Sequence, residues 1–292
     1  MNSSVAVVIA TKGRPAEVSK LITHLRGQTE LPDIIVVSTC TSSDIDADLL
    51  SDLQVKLIFG SPGLTAQRNR ALASLSNQTE IIIFFDDDFI PSRFWIERAK
   101  ILFASHADVV CISGKVLKDG GVGATEGEAI VHRADVVAPH FTARDHDVTE
   151  WLSPYGCNMA VRFKSLDDIR FDERLVLYGW LEDRDFGVRL GSRGRIVQAN
   201  ALWGVHFART MRGRGSTGLT FGYSQVVNPW YLMRKGTMTP LEALRYIARS
   251  LIGNSINFFD DRTDRRGRLK GNVLGLADII LRRWAPEKIA KL

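Results

Sequence analysis

Cysteine is scarce: the 292-residue chain holds three, Cys40, Cys111 and Cys157, widely spaced and without a Cys-x-x-Cys pair. That spacing excludes a disulfide framework and a zinc knuckle, and it leaves the thiols as packing residues. No apolar run approaches the roughly 18 residues that a membrane span requires. The opening Met1-Asn2-Ser3-Ser4-Val5 lacks the basic region and apolar core of a secretion signal, so the expected location is the cytosol. Neither Gly-x-Gly-x-x-Gly nor a Gly-rich loop closed by Lys follows the early strands. Those absences count against a Rossmann dehydrogenase and against nucleoside triphosphate chemistry on such a loop.

What is present is ordinary for a globular protein, at 45% hydrophobic and 24% charged. The net charge of +5 conceals an uneven distribution. Residues 1–204 carry 22 Lys and Arg against 27 Asp and Glu, a net −5, while residues 205–292 carry 16 against 6, a net +10. A basic tail behind an acidic body points to an anionic partner, either membrane phospholipid or substrate phosphate. Nucleic acid is not expected, because no zinc-finger or RNP-like signature accompanies the charge.

The stretch that organises the chain is Glu80-Ile81-Ile82-Ile83-Phe84-Phe85-Asp86-Asp87-Asp88-Phe89, an apolar run ending in three carboxylates. It reads as a strand buried on both faces, as in a parallel sheet, with the acids delivered to the carboxyl edge where such sheets bind ligands. Side chains alternate along a strand, so Asp86 and Asp88 point one way and Asp87 the other. One hard divalent cation can meet both, and the plain alternative is a solvated acidic turn.

Further strands are expected at Val5–Ala10, Asp33–Ser38, Val55–Phe59 and Asp108–Ile112. Helices are expected from Arg14-Pro15 to Gly27, from Thr65 to Leu75 and from Pro91 to Phe103. This alternation predicts an α/β layer with a mainly parallel sheet. Residues 118–148 read as a long connection, followed by structure from Trp151 through Val161, a helix over Glu182–Arg193 and a strand over Arg195–His206. The basic Gly-rich segment Arg209–Thr220 comes next, then two amphipathic helices near Leu241–Ile252 and Val273–Trp284.

Several residues have two readings from the sequence alone. Asp183, near a helix start, has the placement of a general base, although acids also favour a first helical turn for dipole reasons. His206 closes the last strand and is either a third metal ligand or a histidine satisfied by backbone. Arg212 and Arg214, between glycines, suit a lid over a diphosphate or an ordinary linker. Trp180 suits stacking on a sugar or burial in a core. The tail helices either lie in a membrane interface or pack on the rest of the chain.

Taken in order, Val8-Ile9-Ala10-Thr11 with Arg14-Pro15, Gln67-Arg68-Asn69, Phe85-Asp86-Asp87-Asp88, Gly156-Cys157-Asn158 and Trp180-Leu181-Glu182-Asp183 resemble the family 2 glycosyltransferases of the GT-A fold. The resemblance implies a Rossmann-like, mainly parallel or mixed sheet flanked by helices, with a helical basic C-terminal extension. It assigns 1–207 to the catalytic domain, with a nucleotide-sugar half at about 1–115 and an acceptor half at about 149–207, and 208–292 to the extension. The implied reaction is inverting transfer of a sugar from a nucleoside diphosphate sugar to a hydroxyl of a glycan or lipid-linked acceptor, as in cell-surface polysaccharide synthesis, with Mg2+ or Mn2+. The metal ligands would be Asp86, Asp88 and His206, and the base Asp183. Thr11, Arg14, Ser38, Arg68, Asn69, Asp86 and Asp87 would line the nucleotide-sugar pocket. Gly156, Cys157, Asn158, Trp180 and Glu182 would face the acceptor. Ser38 stands where the family usually has Asp or Glu, which leaves the nucleotide base unspecified. A nucleotidyltransferase, or a noncatalytic module binding sugar nucleotides or nucleic acid, is the alternative. Peripheral contact of the tail helices with the cytoplasmic face of a membrane is the expected further partner.

Overall fold

The structure is a computed structural model that describes residues 3–51, 54–138, 148–151, 153–207, 217–259 and 263–292. The apolar runs become β1 (Val5–Ala10), β2 (Ile34–Thr39), β3 (Val55–Phe59) and β4 (Ile81–Asp86). All four are parallel, and in register Ala10 pairs with both Ser38 and Asp86. The carboxyl ends of β1, β2 and β4 therefore reach one edge together. Next come β5 (Phe89–Pro91), β6 (Val109–Asp119), β7 (Val148–Glu150), β8 (Asn158–Arg162) and β9 (Arg195–His206). The sheet order is β3-β2-β1-β4-β8-β6-β9-β5, with β7 on β9. It is mixed: β8 runs antiparallel between β4 and β6, while β6 and β9 are parallel.

Helix α1 (Pro15–Arg26) starts on Pro15, whose fixed φ suits a first helical turn, and stops at Gly27. Its buried stripe Val18, Leu21, Ile22 and Leu25 joins the sheet core with Val7, Ile9, Ile83 and Phe85. Helix α2 is Leu64–Ala73, and α3 is Trp95–Ser105, with Trp95 fully buried against Phe85. The sequence placed the start of α3 at Pro91; instead Pro91 ends β5, an edge strand where a missing N–H costs no ladder bond.

The reading of 118–148 as a connection is corrected by α4 (Ala124–Val137). It buries little beyond Gly127, Val131 and Asp135, so its apolar period was faint. Helix α5 (Glu182–Leu190) passes into a short 3-10 turn that Gly194 ends.

The C-terminal region forms α6 (Gly218–Lys235), α7 (Pro240–Ile256) and α8 (Arg265–Ile280). No helix of the described residues is long and apolar enough to cross a membrane. Helix α6 escaped the sequence reading because Pro229 sits inside it, normally a cost of about 3 kcal/mol. Buried Tyr223, Val226, Val227 and Leu232 offset that cost. Helix α8 starts earlier than expected because glycines, not apolar side chains, mark its contact with α6. A Cβ at Gly222 would lie 2.0 Å from the Arg268 carbonyl oxygen, and one at Gly271 would lie 2.1 Å from that of Leu219. Only glycine allows the two backbones this close.

The chain divides into two compact units. Met1–Pro62, Gln67–Arg170 and Phe186–Arg209 form the first, which contains the whole sheet. Gly63–Ala66, Phe171–Asp185 and Thr210–Leu292 form the second, which contains α6 to α8.

Candidate active site

The first unit gathers charge at the carboxyl edge of its sheet. Asp86, Asp88 and His206 each offer a ligand atom, and these atoms lie within 4.8 Å of one another. The pairing of β5 with β9 sets Phe89 beside His206, and that of β6 with β9 sets Asp119 there too. His206 Nε2 lies 3.0 Å from Asp88 Oδ1 and 3.9 Å from Asp86 Oδ2, and its Nδ1 lies 2.8 Å from Asp119 Oδ1. The Tyr155 hydroxyl donates to Asp119 Oδ2 at 3.0 Å. Burial opposes charge on His206, but hydrogen bonds to Asp119 and Asp88 and the field of Asp86 outweigh it and push the imidazole up to about 10.

Asp87 and Asp88 lie in the turn after β4, and Asp87 faces Thr11 and Arg14. Its carboxylate accepts from Thr11 Oγ1 at 2.7 Å and Arg14 Nη1 at 2.8 Å, and Arg14 also reaches Asp88 Oδ2 at 2.9 Å. Burial pushes the Asp87 carboxyl above the usual range, against the pull of Arg14. Arg68, 2% exposed, donates to Asp86 Oδ1 at 2.9 Å and to the Gly156 carbonyl at 2.7 Å, with its guanidinium over Phe84. Arg14, Arg68 and His206 thus answer four carboxylates, Asp86, Asp87, Asp88 and Asp119, before any ligand arrives. Arg14 and Arg68 stand at the acids that the sequence places with them in the nucleotide-sugar pocket.

Ser38 is fully buried, and its carbonyl accepts from the Thr11 N–H and from Gln67 Nε2. It fixes the β1 and β2 ends rather than lining open space. Asn69 is half-buried on α2. Cys157 is buried, its carbonyl accepting from the Asp86 N–H, and Asn158 is fully buried with Trp95 Nε1 donating to its Oδ1 at 3.0 Å. Both support the strand end beside Asp86.

In the second unit, Asp183 stands half-buried in the first turn of α5 and accepts from the Arg184 N–H at 2.8 Å. Glu182 beside it is buried. A helix amino terminus favours the ionised carboxylate, the form a base needs. Asp185 is committed elsewhere, accepting from Lys235 Nζ and Thr237 Oγ1, both at 2.8 Å. The Trp180 ring packs against Phe221 and Tyr246, and its carbonyl accepts from Asn228 at 2.9 Å. Arg212 and Arg214 lie outside the described residues.

Sequence reasoning missed Asp119, Tyr155 and Asp44. The first two meet His206 only through long-range pairing, which no local pattern announces. Asp44 left a signal in Thr41-x-x-Asp44, a capping-box spacing. Buried, it accepts from the N–H groups of Gly13, Cys40 and Thr41 and from the Thr39 hydroxyl, so it organises the loop after β2. Burial opposes its charge, yet those donors hold its carboxyl below the usual range.

Residues 6–170 match the family model described as Glycosyl transferase family 2, which is more than half of the chain. The chain belongs to that family. This family 2 glycosyltransferase is matched by no curated protein sequence. It shares its fold with solved structures. A crystal structure of S. aureus TarS 1-349 in complex with UDP-GlcNAc is 17% identical, with 96% of this chain and 78% of that one covered and a TM-score of 0.55. The mannosyltransferase PcManGT from Pyrobaculum calidifontis, in complex with GDP-Man and Mn2+, is 15% identical, with coverages of 95% and 88% and a TM-score of 0.59. Against a crystal structure of S. aureus TarS that is 17% identical, the glycosyltransferase covers 44% of that chain and 88% of its own, at a TM-score of 0.52. The GT-A mixed sheet with a C-terminal helical extension is the fold its sequence led one to expect.

Proposed function

We propose that this glycosyltransferase moves a sugar, with inversion, from a nucleoside diphosphate sugar to a hydroxyl of a glycan or lipid-linked acceptor in cell-surface polysaccharide synthesis on the cytoplasmic side. The observation that carries the reading is the convergence of Asp86, Asp88 and His206 at one sheet edge. Two carboxylates and an imidazole suit a divalent cation such as Mg2+ or Mn2+, and PcManGT was crystallised with Mn2+. When bound, the ion supplies Lewis-acid stabilisation of the departing diphosphate. The chain contributes the rest. Asp119 holds Nδ1 of His206, which leaves Nε2 aimed at Asp88 and the candidate ion position. Hydrogen bonds to Asp119 and Asp88 favour the protonated imidazole in the bare chain, so cation binding should weaken as pH falls.

Asp183 would take the proton of the acceptor hydroxyl as its oxygen bonds to the anomeric carbon, while the bond to the diphosphate breaks and the leaving group keeps the electron pair. Glu182 and Trp180, in the same unit as Asp183, are proposed to shape the acceptor side. Residues 1–207 would be the catalytic domain and 208–292 its extension. The neighbours were solved with different nucleotides, UDP-GlcNAc and GDP-Man, so the fold does not select the donor.

The test is release of nucleoside diphosphate from a panel of nucleotide sugars, with and without Mn2+. Asp88→Asn is expected to cut turnover by about a hundred- to a thousandfold, the scale of losing one contact to developing charge, and to abolish Mn2+-dependent UDP or GDP binding by calorimetry. Metal-independent turnover of that variant at the normal rate would refute the reading.

A further inference from the structure

The outer faces of α7 and α8 are apolar without being covered. On α7, Ile252 and Ile256 are exposed, Ile256 at 76%, on the side opposite the buried Ala243, Ile247 and Asn254, and exposed Leu244 lies at its flank. On α8, Val273 and Ile280 are exposed, Ile280 at 79%, opposite the buried Gly271, Gly275 and Asp278. The Arg266 guanidinium lies 5.2 Å over the Phe258 ring and 5.6 Å over that of Phe259, joining the end of one face to the start of the other. A helix needs one apolar stripe to pack, and each of these carries a second.

The charges on those faces decide what fits them. Arg245, Arg249, Arg266 and Lys270 are exposed beside the apolar side chains, and Arg282 and Arg283 follow α8. The acids of α7 and α8 among the described residues have internal tasks. Glu242 caps α7 and pairs with Arg184, Asp264 caps α8, and buried Asp278 accepts from Tyr223 and Lys288. Apart from the α8 cap Asp264, the exposed charge on the two helices among the described residues is thus basic. A second copy docking through the same surface would set like charges face to face, whereas an anionic bilayer accepts apolar side chains among its acyl chains and Arg or Lys at its phosphates.

We propose that the α7–α8 surface docks on an anionic phospholipid membrane, lying in the interface without crossing it. The proposal deepens the reading of a lipid-linked acceptor and rests on it only for its purpose. The experiment is flotation of the full chain with vesicles of phosphatidylcholine alone and with vesicles of equal parts phosphatidylcholine and phosphatidylglycerol. The chain should float with the anionic vesicles and fall away as salt rises. Arg245→Gln with Arg249→Gln should weaken that binding about thirtyfold, from roughly fivefold per basic residue near the surface. Ile252→Ser with Ile256→Ser should abolish flotation while leaving the thermal midpoint and the Mn2+-dependent binding of UDP or GDP as they were. A chain that stays in the aqueous fraction at low salt overturns the proposal. So does a dimer in sedimentation that the isoleucine pair dissociates, since that gives the face to a second copy. Vesicle binding without UDP or GDP binding upholds the surface and removes the catalytic reading alone.

Discussion

At the carboxyl edge of the sheet, three consecutive aspartates are met within the fold by Arg14, Arg68 and His206. The outer faces of α7 and α8, by contrast, set exposed arginine and lysine beside bare isoleucine and valine. Matched, buried charge has a fixed position before anything binds, and removing one partner leaves another stranded. Exposed charge of one sign costs the fold little and acts through whatever approaches it. The first arrangement suits the proposed chemistry and the second the proposed attachment.

The contrast is tested most severely by Asp183→Asn. Loss of a general base should lower turnover about a hundred- to ten-thousandfold with the donor KM unchanged; steady-state kinetics that show only a KM effect would take catalysis away from α5. Next is Asp119→Asn, which keeps the shape but weakens the grip on His206. Mn2+ affinity by calorimetry should drop about ten- to a hundredfold, and the imidazole, followed by NMR in the metal-free chain, should titrate below about 10. An unmoved titration would mean that Asp119 does not govern the histidine.

A smaller effect probes how the helical unit coheres. Gly271→Ala forces a methyl against the Leu219 carbonyl and should cost about 1–3 kcal/mol in denaturant unfolding, with vesicle binding of the folded fraction retained. The smallest effect concerns Asp172 in the same unit. Burial opposes its charge, but hydrogen bonds from Lys235 and Tyr231 hold its carboxyl below the usual value. Its contribution is present above the unfolded pKa of about 3.9 and is lost as pH falls through the lower folded value. Thermal midpoints below about pH 4 should therefore fall less steeply in Asp172→Asn than in the parent chain.

The sequence disclosed what local periodicity encodes. Val5–Ala10 and Ile81–Phe85 are continuous apolar runs, and Pro15 and Gly27 punctuate α1. It concealed what depends on distant partners. Pro91 closes a three-residue edge strand whose identity rests on β9, and α6 contains Pro229 because burial elsewhere outweighs its cost. For the same reason Asp86, Asp88 and His206 were legible as metal-binding types, whereas the roles of Asp119 and Tyr155 depend on β6 meeting β9. Arg68 shows the limit of residue type alone: nothing local announces that its guanidinium reaches both Asp86 and the Gly156 carbonyl.

The stretch Phe171–Asp185 folds with the C-terminal helices. Asp172 and Asp185 share Lys235, Arg174 pairs with Glu287, and Asn228 secures Trp180. A gene cut after codon 207 would therefore orphan the loop that bears Asp183 along with the tail. Swapping tails between relatives would rewire that loop, so its sequence and that of the C-terminal helices should change together.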